Sequence, residues 1–232
     1  MDPFFLQWDS NVVLFFQNLG GWLLPIMNFF SFLGSEYTYL IILPLIYWCI
    51  DATIGLRMGI MMVLSVGING ILKFAFHTPR PYWVDAHIKA YAAESSFGLP
   101  SGHAMNAITV WGVMAAGFKK RWLTILSILV ILLIGISRMY LGVHFLSDVL
   151  TGWLFGGLLL ILFLKLEKPF TTWFSRLSMP IQLVFCLGVS LLFLLVGFLT
   201  RAAVSTSFIV PPAWMEQALL SSDQVPDPLS LE

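Results

Sequence analysis

A chain of 232 residues in which 59% of side chains are hydrophobic and 10% charged, with a mean hydropathy of +0.89, does not have the composition of a soluble globular domain. Twelve Lys and Arg offset twelve Asp and Glu, so no basic field gathers nucleic acid. The class that remains is an all-α, multi-pass membrane protein whose partner is the lipid bilayer.

The start Met1-Asp2-Pro3 lacks the basic region of a cleavable signal peptide, so the first spans are expected to direct insertion themselves. Residues 9–34 are apolar but broken by Gly20-Gly21 and Pro25 and dotted with Asp9, Asn11, Gln17, Asn18 and Asn28. This pattern predicts short helices lying in the interface, and residues 1–34 are read as an interfacial N-terminal segment. Apolar stretches follow at 36–50, 56–76, 103–118, 122–140, 144–164 and 180–200, each near the roughly 20 residues that cross a bilayer. They predict a six-transmembrane-helix bundle occupying residues 35–201. Residues 202–232 are read as a non-cytoplasmic tail, and Pro211-Pro212, Ser221-Ser222 and Pro226 predict a mobile end. Cys49 and Cys186 fall inside apolar stretches and are read as packing residues, not as a disulfide or as metal ligands.

Basic residues set the orientation. Arg57, then Lys119-Lys120-Arg121, then Lys165, Lys168 and Arg176 occupy the connections after the first, third and fifth spans. The positive-inside bias makes these connections cytoplasmic. Three polar clusters then share the opposite face.

The first is Lys73 with Arg80-Pro81 at the end of the second span. Both cations suit snorkelling anchors, but Pro79 and Pro81 stiffen the backbone around Arg80 and argue for a positioned guanidinium. The second is Pro100-Ser101-Gly102-His103, where Ser101 is a natural N-cap and the following helix start favours an anion. An ordinary cap with a chance histidine fits these residues as well, and His103 tips the reading toward a general acid beside an anion. The third is Ser137-Arg138 followed by His144 and Asp148, with Gly142 permitting a corner. The i, i+4 spacing lets Asp148 reach back to His144 and orient it, although a buried pair that only ties helices together has the same spacing. Three cations, a helix start, two histidines and a carboxylate on one face suit a multiply charged oxyanion, and phosphate is the obvious ligand.

Lys73-x6-Arg80-Pro81, Pro100-Ser101-Gly102-His103 and Ser137-Arg138-x5-His144-x3-Asp148 resemble the three signature motifs of the type 2 phosphatidic acid phosphatases, a superfamily that includes the vanadium haloperoxidases. The resemblance implies a phosphohistidine formed at His144, with Asp148 orienting it and His103 protonating the leaving oxygen and then activating water. It implies that Lys73, Arg80 and Arg138 hold the phosphoryl oxygens, assisted by Ser101 and the Gly102 backbone. The family needs no metal or cofactor, and this sequence offers no further His or carboxylate cluster for one. Lipid phosphates or polyprenyl diphosphates are the expected substrates, placing the chain in phospholipid metabolism at a bacterial plasma membrane with its site on the non-cytoplasmic face.

Arg80-Pro81-Tyr82-Trp83 and Ser101-Gly102-His103-Ala104-Met105 also resemble the glucose-6-phosphatase branch, which takes a soluble sugar phosphate. The loop from Tyr82 to Leu99, with Trp83, Asp85, His87, Lys89 and Glu94, is expected to form the rim that chooses. His77 and His87 are read as solvated loop histidines. Phosphoryl transfer to another hydroxyl is a related outcome. An anion transporter is the non-enzymatic reading, disfavoured because transport needs polar residues through the midplane and the apolar spans show few there, Asn69 and Asn106 being exceptions near the outer halves.

Overall fold

The structure, a computed structural model, describes residues 3–222. Helices α1 (Pro3–Gln17) and α2 (Leu24–Leu33) are joined by a 3-10 turn, Gly21–Leu23. They are followed by α3 (Glu36–Cys49), α4 (Ala52–Phe76), α5 (Pro81–Val84), α6 (Gly102–Phe118), α7 (Arg121–Tyr140), α8 (Leu146–Phe174), α9 (Met179–Ser207) and α10 (Pro212–Ser221). No strand occurs among the described residues. Each of the six apolar stretches named above forms a helix.

Helices α4, α7, α8 and α9 are long and apolar enough to cross a membrane, and the α1–α2 pair, bent by 79°, supplies a fifth crossing if it is one span. Helices α3 and α6, at 14 and 17 residues, are shorter. The protein is thus an all-helical, multi-pass membrane protein. The apolar middle of α9 buries nothing inside the chain, the surface expected where lipid replaces water.

Local chemistry starts and stops these helices. Ser35, Asp51 and Ser101 cap α3, α4 and α6, accepting from the backbone N–H of Thr38, Ile54 and Ala104 at 3.4, 2.9 and 3.4 Å. Helix α6 is the central element, packed against α4, α7 and α8. Its approach to α8 depends on glycine: a Cβ at Gly152 would lie 2.6 Å from the Ser101 carbonyl oxygen, and one at Gly156 would lie 2.8 Å from that of Met105. The small-xxx-small pair lets the two backbones meet and sets the Pro100–His103 turn directly against the start of α8.

Three expectations change. The tail does not end as a mobile segment over 212–221: α10 folds back on α5, where Trp214 meets Trp83 and Phe208 at ring distances of 6.4 and 6.1 Å and Ala218 is buried. Aromatic burial holds a helix that the flanking prolines alone did not suggest; Pro226 lies outside the described residues. Cys49 and Cys186 are free and exposed, not packed, because they point outward from α3 and α9. The N-terminal helices are short, but they also bury Asp9, Ser10, Val13, Met27 and Ser31, with α1 set against α7 and α8 and α2 against α7.

Candidate active site

The three polar clusters meet at one end of the bundle. Lys73 lies in the last turn of α4, which stops where His77 turns left-handed at φ 38°. The chain then runs through Pro79 to Arg80, and α5 begins at Pro81. Arg80 is fully buried, Arg138 and Lys73 nearly so, which excludes the snorkelling reading for Lys73 and Arg80. Each buried cation therefore needs fixed partners.

Arg80 donates through Nε to the Ser96 carbonyl at 2.6 Å, through Nη2 to Ser96 Oγ at 2.9 Å and through Nη1 to the Val143 carbonyl at 3.1 Å. Lys73 Nζ donates to the same Ser96 Oγ at 2.6 Å. Arg138, in the last turn of α7, donates through Nη1 to Ser31 Oγ of α2 at 2.5 Å. The turn Leu141–Phe145 that follows is shaped by Gly142 at φ 78°, where a Cβ would lie 2.4 Å from the Lys89 carbonyl oxygen. A side chain there would meet both backbone strain and the Tyr82–Leu99 loop.

His144 leaves that turn with its ring between two partners. Nδ1 lies 3.2 Å from Asp148 Oδ2, and Nε2 lies 3.3 Å from Arg80 Nη1. A guanidinium only donates, so this contact draws on the Nε2 lone pair and places the ring proton on Nδ1, toward Asp148. Asp148 Oδ2 also accepts from the Phe145 backbone N–H at 3.0 Å, which fixes the carboxylate. Burial pushes the His144 pKa well below its ordinary value, and Arg80, Arg138, Lys73 and His103 push it the same way. The Asp148 contact thus orients the ring, while burial and the cations keep it neutral, and a neutral imidazole with a lone pair facing three cations can attack phosphorus.

The Pro100–His103 turn closes the third side. Ser101 is fully buried, and its backbone N–H donates to the Asp148 carbonyl at 3.0 Å. Asn69 Nδ2 holds the Pro100 carbonyl at 3.1 Å, and Ser65 Oγ donates to Asn106 Oδ1 at 2.6 Å. Of the two asparagines singled out in the sequence, Asn69 thus braces the turn and Asn106 ties α6 to α4, and both line a cavity. His77 leaves the solvated-loop reading: it is half-buried, its ring tilted against that of Phe208 with centroids 4.5 Å apart. His87 keeps it, exposed beside Asp85.

A cavity of about 840 Å³ lies over these groups, lined by Lys73, Glu94, Gly102, His103, Asn69, Asn106 and His144. Its remaining wall is largely apolar, with Leu40, Val66, Phe193, Leu194 and Phe198 from α3, α4 and α9. Among the described residues no group of three or more His, Cys, Asp or Glu could hold a metal ion, and the cluster of cations suits an anion.

Several residues of the site were not identifiable from sequence. Glu94 reaches the cluster, its carboxylate pairing with Arg80 and Arg138; it was readable only as part of a rim. Ser96 and Ser31 carry no signal beyond being polar, and Gln17, whose Nε2 donates to the Lys89 and Tyr140 carbonyls at 2.7 and 3.1 Å, looked like an interfacial residue of α1.

The PAP2 superfamily profile matches residues 54–172, a range that holds every motif residue described above. Phosphatidylglycerophosphatase B of Bacillus subtilis is 35% identical over 162 residues, covering 61% of this chain and 73% of that protein. Sphingosine-1-phosphate phosphatase 1 of Rattus norvegicus is 32% identical over 152 residues, 62% of this chain, which spans 35% of that longer protein. Among solved structures, the transmembrane PAP2-type phosphatidylglycerolphosphate phosphatase of Bacillus subtilis superposes with a TM-score of 0.62 at 28% identity, over 72% of this chain and 88% of the other. With its signature motifs gathered around a buried cationic cluster and its profile match covering half the chain, the protein belongs to the PAP2 superfamily and is a phosphatase of that class.

Proposed function

We propose that the protein hydrolyses a phosphate monoester or diphosphate of a membrane lipid through a phosphohistidine at His144. The observation that carries this reading is the His144 ring, fixed between Asp148 and Arg80 with its Nε2 lone pair facing the cationic cluster. Lys73, Arg80 and Arg138 hold the phosphoryl oxygens, with Ser101 and the Gly102 backbone at the start of α6. His144 Nε2 attacks phosphorus, the ester P–O bond breaks, and His103 gives its proton to the departing oxygen. His103 then takes a proton from water, whose oxygen attacks the phosphohistidine and releases inorganic phosphate and neutral His144. Asp148 keeps the ring proton on Nδ1 throughout.

The lipid assignment is supported by the apolar wall from α3, α4 and α9 on the cavity, which suits an acyl or prenyl chain better than a sugar. Phosphatidylglycerophosphate ranks first among lipid phosphates because the Bacillus subtilis relative is matched over most of its length. The phosphatase unit is residues 35–201, crossing the membrane six times through α3, α4, α6, α7, α8 and α9, with short helices before it and a tail after it. The Lys119-Lys120-Arg121 connection lies at the cytoplasmic end, which puts the site on the non-cytoplasmic face of a bacterial plasma membrane.

The test is hydrolysis by the purified protein in detergent with phosphatidic acid, phosphatidylglycerophosphate, undecaprenyl diphosphate and glucose 6-phosphate, each with excess chelator. Phosphate release from a lipid and none from the sugar phosphate is expected. Full activity of His144→Ala, or activity abolished by chelator alone, overturns the mechanism.

A further inference from the structure

The anion seat is filled by the chain itself. Glu94 sets Oε2 on Arg80 and Oε1 on Arg138, and Oε2 lies 3.7 Å from Nε2 of His144. A carboxylate with one oxygen on each of two guanidinium groups, facing the imidazole lone pair, stands where phosphoryl oxygens must sit to be attacked. The same N–H groups cannot serve both anions, so a phosphate binds only after Glu94 has withdrawn.

We propose that Glu94 is a resident competitor for the phosphate seat: it withdraws to admit substrate and returns to expel the inorganic phosphate left after hydrolysis. The proposal rests on the assignment of Lys73, Arg80, Arg138 and His144 as that seat.

The surroundings favour exchange by side-chain rotation alone. The Tyr82 hydroxyl donates to the Glu94 carbonyl at 2.7 Å and accepts from its backbone N–H at 3.1 Å, and Tyr82 itself is fully buried. Two residues on, Ser96 is held by Arg80 and Lys73. The backbone on both sides of Glu94 is thereby fixed. Its side chain keeps 15% of its surface exposed, against none for Arg80, and it lines the cavity into which it can turn. Charge favours the exchange in the presence of substrate, since a phosphate monoester brings about −1.5 to −2 near neutral pH where Glu94 brings a single charge. Once phosphate begins to leave, the tethered carboxylate is already beside the vacated cations and closes over them.

A competitor inside the protein has a quantitative signature. Every phosphate binds only to the fraction of molecules with Glu94 withdrawn, so each apparent affinity is lowered by the same factor, whatever tail the phosphate carries. Glu94→Gln and Glu94→Ala are compared with the unaltered protein, measuring inhibition by inorganic phosphate and orthovanadate and the KM of a lipid phosphate. Both variants are expected to lower the inhibition constants and the KM together, by roughly 10- to 100-fold, the range of one charge-assisted contact. Inhibition constants that stay the same or rise in both variants overturn the proposal, as does a change confined to the lipid substrate. The unaltered protein gives a test that needs no variant: with orthovanadate bound, its structure is expected to show the Glu94 carboxylate off Arg80 and Arg138, and retention of both pairs overturns the proposal. Should the unaltered protein neither hydrolyse phosphates nor bind orthovanadate, the seat assignment itself fails, an outcome distinct from unchanged inhibition in an active variant.

Discussion

Arg138 Nη1 and Ser31 Oγ meet at 2.5 Å, joining α7 to the N-terminal helix α2 across 107 positions of sequence. The contact ties the N-terminal helices to the cationic cluster, and the phosphate-binding role proposed for Arg138 requires a guanidinium held at a fixed angle. Ser31→Ala removes one fixed partner and leaves Arg138 free to tilt. The expected result is a KM about ten-fold higher with kcat changed much less, the scale of a hydrogen bond to a charged group. A steady-state KM and kcat comparison in detergent checks it, and equal losses in both parameters would place Ser31 in the chemical step.

The proposed roles of His144 as nucleophile and Asp148 as orienter predict losses that differ in kind. His144→Ala removes the attacking atom and is expected to abolish phosphoenzyme formation from labelled substrate, read under alkaline quench where phosphohistidine survives. Asp148→Asn keeps the shape but no longer favours the Nδ1 proton, and a kcat fall of roughly 10³- to 10⁴-fold is expected by analogy with other oriented imidazoles. A labelled protein that persists in His144→Ala would move the nucleophile elsewhere.

The helices and the site differ in how much of each could be read from sequence. Long apolar runs and a cap such as Ser101 are local signals, and the runs marked α3, α4, α6, α7, α8 and α9. The motif residues were legible because buried cations and an i, i+4 His–Asp pair are costly in an apolar chain without a use. Glu94, Ser96 and Ser31 were not, since their roles come from a loop and a bent helix pair folding over the seat, and no local pattern encodes that approach. The prolines around α10 misled for the same reason: Trp214 finds Trp83 only in three dimensions.

The lowered pKa of His144 has a consequence for stability. Between its folded pKa and the ordinary value of about 6.5 the unfolded chain binds more protons at this residue, so stability rises with pH across that window and is lost as pH falls through it. Replacing His144 with Ala removes the linkage. The thermal midpoint of the unaltered protein in detergent should therefore drop more steeply between about pH 7 and pH 5 than that of His144→Ala, with parallel curves above pH 7. Parallel curves at every pH would mean that His144 titrates normally.

Close packing of α6 on α8 predicts a contrast between two glycines of one helix. A Cβ at Gly152 would sit 2.6 Å from the Ser101 carbonyl oxygen, whereas one at Gly157 meets nothing within 4 Å. Gly152→Ala should push the Pro100–His103 turn away from Asp148, costing about 1–3 kcal/mol of stability as overpacking does, and lowering kcat. Gly157→Ala should leave activity unchanged and gain a few tenths to about 1 kcal/mol from helix propensity. Thermal unfolding and activity of the pair check both, and equal behaviour would show that the helices adjust without cost.

The cavity offers the sharpest separation of lipid from sugar substrates. Gly197 on α9 lines it beside Leu194 and Phe198, and a side chain there would begin in open space, with nothing within 4 Å of its Cβ. Gly197→Trp therefore adds a large ring without displacing packed atoms, filling the apolar part of the cavity proposed to take an acyl chain while leaving Lys73, Arg80, Arg138 and His144 untouched. Burial of several methylenes is lost, each worth about 0.8 kcal/mol, so kcat/KM for a long-chain lipid phosphate should fall at least ten-fold. Hydrolysis of a short soluble ester such as p-nitrophenyl phosphate should change less than two- or three-fold, because its phosphate needs only the seat. Parallel losses on both substrates would mean that the ring disturbs the seat, and no loss on either would mean that the lipid tail reaches His144 by another face of the bundle.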